Sequence, residues 1–220
     1  MDALSPAQRW LWPELSKAAD LRFVLYGGTA LALRLGHRPS VDFDFFSEKP
    51  LDREAIQVAF SFVERATSIQ DKGNTWSLLV PYGESGRDHV KVSFFGTIGF
   101  GRVGEPDFTD DGVLQVASFD DLMATKVKVV LQRAEAKDYR DVAAMLNAGI
   151  SLPRGLAAAR TMFGPNFQPS ESLKALVFYG DGDLKTLTAI EKNTLVQAVK
   201  TVRELPEIAI LSKELAGVDN

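Results

Sequence analysis

Two carboxylates one residue apart, Asp42 and Asp44 in the run VDFDFF, follow closely on the segment Gly27-Gly28-Thr29. In an extended strand successive side chains alternate faces, so Asp42 and Asp44 share one face while Val41, Phe43 and Phe45 share the other. Like charges about 5 to 7 Å apart repel by about 2 to 3 kcal/mol at an effective dielectric of roughly 20. Solvent at a strand end offsets that repulsion in one reading. A hard cation offsets it in another, because Mg²⁺ takes oxygen ligands from one or two carboxylates plus substrate phosphates. Gly27-Gly28 is ambiguous in the same way. A double glycine after a strand is a tight turn, or it lets backbone N–H groups at the positive end of the next helix approach a triphosphate closely. The Thr29 hydroxyl would add a contact there. Strand, Gly-Gly-Thr, helix and then Asp-x-Asp would set an anion cradle beside a metal position, and Arg38 and Ser40, in the loop between them, are candidates to touch phosphate or base.

The elements needed to hold these residues can be read from periodicity and punctuation. Arg22 to Tyr26 (RFVLY) predicts a buried strand stopped by Gly27-Gly28, and TALALRLG predicts a short helix ended by Gly36. Upstream, Ser5-Pro6 begins a first helix carrying Trp10, Leu11, Leu15 and Ala18. Asp52 opens a helix to about Arg65, and two later runs, 76–80 and 89–95, predict strands that pair as a hairpin around Gly83 and Gly86. Ser118 with Asp121 resembles a capping box at the head of a helix to about Gln132, followed by a second helix from Lys137 to Asn147. Beyond Ile150 the pattern is helical, near 154–162 and 184–205, with no strand of consequence. The expected architecture is α+β: a mixed sheet with flanking helices in residues 1–117, then a helical region in 118–220.

Composition narrows the chemistry. The 220 residues include no cysteine and two histidines, which excludes disulfides, thiolate zinc and a cysteine nucleophile and disfavours any zinc site. The start MDALSPAQRW has no basic segment followed by an apolar core, and no apolar run approaches the roughly 20 residues of a bilayer span, so the expectation is a cytoplasmic protein with no membrane partner. A formal net charge of -4 argues against strong non-specific nucleic-acid binding, which depends on Lys and Arg neutralising phosphates. A local basic patch from Leu122 to Arg140, with Lys126, Lys128, Arg133, Lys137 and Arg140, stays open.

The string YGGTALALRLGHRPSVDFDFF resembles the first motif of the AbiEii/AbiGii toxin family, a branch of the polymerase-beta-like nucleotidyltransferases. The resemblance continues through VKVSFF, ASFDDLMATKVKVVLQR, KDYRD and SLKALVFYGDGD, covering most of the chain. It implies a polymerase-beta-like nucleotidyltransferase core and transfer of a nucleotidyl group from an NTP with Mg²⁺, to an acceptor such as tRNA, with a cognate antitoxin as partner. By position it implies Asp42 and Asp44 as metal ligands, Lys126 as a triphosphate contact, and Asp138 and Asp141 as residues that orient a basic side chain or assist the acceptor hydroxyl. The alternatives for the last three are a solvated lysine on a helix flank and an exposed first-turn charge pattern. The sequence departs from many relatives at Ser93, where a third carboxylate is expected. Two other functions stay open on that ground and on the acidic balance: a degenerate nucleotide-binding module without turnover, and a transferase acting on a small hydroxylated molecule.

Overall fold

The computed structural model describes residues 4–83 and 88–217, so Gly86 of the expected hairpin turn lies outside the described residues. The chain forms two compact units, one of Met1–Gly101, Glu105–Ala117 and Ser212–Asn220, the other of Arg102–Gly104 and Ser118–Leu211. The main stretch of the second unit begins at Ser118, and the last residues return to the first unit. There Leu215 is fully buried, its N–H donates to Glu48 Oε2 at 3.1 Å, and that of Gly217 donates to Gln115 Oε1 at 3.0 Å.

The first unit is built on a seven-stranded mixed sheet: β1 Val24–Tyr26, β2 Asp42–Phe46, β3 Thr67–Lys72, β4 Thr75–Tyr82, β5 Asp88–Phe95, β6 Asp107–Phe108 and β7 Gln115–Val116, in the order β3-β4-β5-β2-β1-β7-β6. β2 lies between β1, antiparallel to it, and β5, parallel to it. Helices α1 Pro6–Leu11, α2 Gly27–Leu35 and α3 Arg53–Ala59 complete the unit. α1 is capped as expected: Ser5 and Gln8 satisfy each other's backbone N–H groups, with Pro6 in the first turn.

Several departures from the sequence expectation have physical causes. Strand β1 is shorter than Arg22 to Tyr26, because Arg22 sits in the left-handed region (φ 59°) and the chain turns there. The helix from Asp52 stops at Ala59, and Phe60 is extended before a 3₁₀ turn over Ser61–Arg65. Phe60 and Phe62 are both fully buried, and a continuous helix would turn residues two apart toward opposite sides. Strand β3 escaped notice because all six of its residues are exposed; it is an edge strand held by pairing with β4, without a hydrophobic alternation to announce it. Val41 precedes β2 and is exposed rather than sharing the core face with Phe43 and Phe45.

The second unit is helical, with no strand among its described residues: α4 Phe119–Val129, α5 Ala136–Asn147, α6 Leu152–Phe163, α7 Pro169–Leu176 and α8 Ala189–Thr201. Helix α7 was not expected, and α8 is shorter than the span to 205. Ser118 caps α4 by accepting from the Asp121 N–H at 3.1 Å, but Asp121 does not close a capping box. Its carboxylate instead accepts from the N–H groups of Val103 at 2.8 Å and Gly104 at 3.3 Å, and burial pushes it above the usual carboxylate range against the pull of these bonds and that of Ser118. No helix of the described residues is long and apolar enough to cross a membrane.

The core of the sheet's apolar face is aromatic. Phe94 is fully buried, with Phe23, Phe45 and Phe60 at ring-centroid distances of 5.1, 5.6 and 5.4 Å. Phe94→Ala is expected to lower the unfolding free energy by about 3 to 5 kcal/mol, through lost burial and the cavity left behind. Phe94→Leu should lose much less, and urea denaturation of both variants reads the difference; similar midpoints for Phe94→Ala and the unchanged chain would contradict this account of the core.

Candidate functional site

The alternation of VDFDFF is realised in β2. Phe43 and Phe45 are fully buried, while Asp42 and Asp44 are part-exposed on the opposite face. Register fixes what surrounds them. Across β5, Asp42 pairs with Lys91 and Asp44 with Ser93; across β1, Asp44 pairs with Tyr26. Side chains of register partners lie on the same face, so Lys91, Ser93 and Tyr26 border the two carboxylates directly.

Helix α2 begins at Gly27 itself, so both glycines form its first turn rather than a loop ahead of it. Its N-terminus meets the carboxylate strand closely. A Cβ on Gly27, which has φ +74°, would lie 2.7 Å from Asp44 Oδ2, and one on Gly28 would lie 2.7 Å from Arg38 Nη2 and 2.9 Å from Ser40 Oγ. Any larger residue would push out groups that the sequence had singled out. The Thr29 hydroxyl donates to the carbonyl of Asp42 and lies 3.0 Å from Ser40 Oγ, which fastens α2 to the start of β2. Thus Gly27, Gly28, Thr29, Arg38, Ser40, Asp42 and Asp44 are brought together within the first unit. Thr29 is spent on the backbone rather than pointed outward. It is 1% exposed.

The donor set suits one hard cation shared with a ligand. No three His, Cys, Asp or Glu residues among the described ones form a metal-holding group. Two half-open carboxylates on one strand face match Mg²⁺, which is held by one or two carboxylates and completes its shell with water and phosphate oxygens. Ser93 adds no ligand of charge: it is fully buried, and its hydroxyl accepts from Ser77 at 3.0 Å.

Lys126, Asp138 and Asp141 converge separately, inside the second unit. Lys126 on α4 is 5% exposed, and its Nζ lies 2.7 Å from Asp138 Oδ1 and 2.7 Å from Asp141 Oδ2 on α5. Both aspartates are fully buried, so neither belongs to an exposed charge pattern. Arg133 completes the cluster, with Nε donating to Asp138 Oδ2 at 2.8 Å and Nη2 to Oδ1 at 3.2 Å. Burial alone would raise the Asp138 carboxyl, but the Arg133 hydrogen bonds and the Lys126 charge outweigh it and hold the carboxyl below its usual range. The other cations of the segment are engaged too: Lys128 by the Asn166 carbonyl, Lys137 by Glu135 at 2.8 Å and Arg140 by Glu191 at 3.4 Å. These pairings engage the cations of the basic patch that the sequence left open.

Comparison with known proteins follows the same lines. The family described as Nucleotidyl transferase AbiEii toxin, Type IV TA system, matches residues 15–190. An uncharacterized protein of Aquifex aeolicus (strain VF5) is 33% identical over 122 residues, a stretch covering 54% of this chain and 55% of that protein, so only about half of each is aligned. Among solved structures, a candidate nucleotidyltransferase from H. pylori superposes with a TM-score of 0.58 at 18% identity, over 88% of this chain and 92% of that one. An antigenic nucleotidyltransferase-like protein from Paracoccidioides brasiliensis gives 0.55 at 16%, over 90% and 93%. The nucleotidyltransferase toxin MenT4 from Mycobacterium tuberculosis H37Rv gives 0.50 at 17%, over 87% and 90%. At these identities the structures show a shared fold.

The buried cluster yields two expectations. Lys126→Met would leave two buried carboxylates facing one another and should destabilise the protein by about 3 to 5 kcal/mol in urea unfolding. A loss under about 1 kcal/mol would show that the cluster is not held as described. For Asp138 the folded value is depressed, so its ionised form stabilises the fold above the ordinary carboxylate value of about 4, and that contribution is lost as pH falls through the folded value. Asp138→Asn should therefore be less stable at neutral pH and show a shallower loss of stability on acidification below about pH 5, read by thermal melting across a pH series.

Proposed function

Since the chain belongs to the AbiEii nucleotidyltransferase toxin family, we propose that it transfers a nucleotidyl group from an NTP to an acceptor hydroxyl, with Mg²⁺ held by Asp42 and Asp44. The observation that carries the proposal is the contact of the α2 N-terminus with the carboxylate strand, where a Cβ on Gly27 would stand 2.7 Å from Asp44 Oδ2. That approach puts the positive end of a nine-residue helix against two acids. It is an arrangement suited to a polyphosphate and its cation together.

In the reaction an acceptor oxygen forms a bond to the α-phosphorus, the bond from that phosphorus to the bridging oxygen breaks, pyrophosphate leaves, and the hydroxyl proton is released. Bound Mg²⁺ would supply charge neutralisation at the phosphates. The chain's own part is positioning and electrostatics. The Gly27 and Gly28 N–H groups offer donors to phosphate oxygens, Arg38 brings a guanidinium beside Gly28, and Ser40 stands next to it. Asp42 and Asp44 would hold the cation. In the second unit the geometry supports Lys126 as the partner of Asp138 and Asp141.

The acceptor we favour is the end of a tRNA, on the family resemblance. A net charge of -4 suits contact with a short terminal stretch better than a grip on a long polyanion. The family's assignment to a type IV toxin–antitoxin system supports a cognate antitoxin as partner. One observation favours a second reading, nucleotide binding without turnover: Ser93, the register partner of Asp44, is buried and bonded to Ser77, so no third carboxylate faces the site from β5.

Incubation of the protein with each α-labelled NTP, Mg²⁺ and total tRNA, beside Asp42→Ala and Asp44→Ala, separates these readings. Label on RNA that falls by at least about a hundredfold in either variant is the expected result, a loss typical of removing a group that stabilises the transition state. Nucleotide binding with no labelled RNA, protein or small hydroxylated acceptor would establish the second reading instead.

A further inference from the structure

We infer that Lys91 is a phosphate-binding residue of this site, its ammonium contacting the triphosphate of the bound NTP from the β5 side of the Asp42/Asp44 pair. The inference rests on the proposed nucleotide site and adds a residue to it. Its basis is placement. Lys91 is the register partner of Asp42 and points from the same face of the sheet, while Val90 and Val92, its neighbours in the chain, are buried on the other. Asp42 and Asp44 therefore lie near two sources of positive potential: the α2 N-terminus at Gly27 and Gly28, which follows the end of β1, and Lys91 on β5.

The ammonium is also uncommitted. Among the described residues Lys91 has no ion pair and no hydrogen bond, although a carboxylate stands on the adjacent strand. Neighbouring strands are about 4.8 Å apart, so the four-carbon stem of a lysine is long enough to carry its head past Asp42. A part-exposed cation held beside two acids yet paired with neither is disposed to bind an anion that those acids do not bind themselves. A triphosphate is such an anion, because it carries more negative charge than one Mg²⁺ neutralises. The chemistry of β5 points the same way. Ser93 is tied to Ser77 and brings no charge, so the ionised group that β5 contributes beside Asp42 and Asp44 is a cation. A cation in that place favours phosphate oxygens and disfavours a further metal ion.

The full chain tests this by calorimetric titration at saturating Mg²⁺ with the tightest-binding NTP and, separately, with inorganic tripolyphosphate, using Lys91→Met, Lys91→Arg and an Asp42→Ala/Asp44→Ala control. The unchanged protein should bind both probes, and the control should lose most of the binding. Lys91→Met should weaken both probes by about tenfold or more, the loss expected for one hydrogen bond to a charged group. Lys91→Arg, which keeps the charge, should stay within about threefold, and melting temperatures of both variants should stay within about 2 °C. Unchanged affinity in Lys91→Met would reduce Lys91 to a counter-charge for Asp42 and overturn the inference. So would weakening for the NTP alone, which would place Lys91 at the nucleoside, or an equal loss in both variants with a lowered melting temperature, which would make it structural. If the unchanged protein binds neither probe, the nucleotide site itself is refuted and the role of Lys91 with it. Binding that depends on Asp42 and Asp44 but not on Lys91 refutes the inference alone.

Discussion

Two carboxylates held on one face of β2 set the central constraint on the first unit. Like charges this close are tolerated only where water, a cation or oriented dipoles compensate them, so the two carboxylates themselves cannot lie under an apolar layer. The strand is nonetheless central in the sheet, flanked by β1 and β5. Its apolar support comes mainly from the other face, where Phe43, Phe45 and Phe94 are fully buried, while past the carboxylates Phe46 packs on Tyr26 and Phe95 at ring-centroid distances of 4.8 and 5.0 Å. A rigid apolar underside and an open acidic upper side follow from a single alternating run of residues. The start of α2 then supplies the compensating dipole, which requires glycine where the backbone approaches Asp44 and Arg38.

The second unit treats the same chemical problem in the opposite way. Asp138 and Asp141 are completely buried, and an ammonium shared between them, with a guanidinium on Asp138, neutralises the charge inside the unit. Such a cluster is rigid and costly to open, because removing any one member strands a buried charge. The pair on β2 keeps part of its surface available, and among the described residues no third acid closes a cage around it. Open carboxylates suit an exchangeable cation arriving with a ligand, and closed ones fix the packing of α4 on α5. Equal residue types thus end in different roles through burial and partners.

Much of the first site was legible because local rules produce it. Alternation put Asp42 and Asp44 on one face, and the left-handed Gly36 (φ 60°) ended α2 where the sequence placed its stop. What escaped depends on contacts distant in sequence. Strand β3 has no apolar face to reveal it, Asp121 turns from its own helix cap to the N–H groups of Val103 and Gly104, and residues 212–217 rejoin a unit that begins two hundred residues earlier. The burial of Lys126 was equally hidden, since a lysine reads as solvated until its two partners on another helix are known.

Ser93 and Lys91 show where reading one strand gives way to reading a sheet. In the run VKVSFF the serine stands out as a missing acid and the lysine as ordinary polarity on an alternating strand. Only the parallel register of β5 on β2 sets Ser93 beside Asp44 and Lys91 beside Asp42, and only the packing shows the serine bound to Ser77 while the lysine has no partner among the described residues. The missing acid and the spare cation are then one feature. Replacing a third carboxylate by a buried hydroxyl lowers the negative charge facing the site, and the ammonium two residues away lowers it further. A face so balanced draws in phosphate more strongly than additional metal, and its preference is set by a pairing register that no single segment contains.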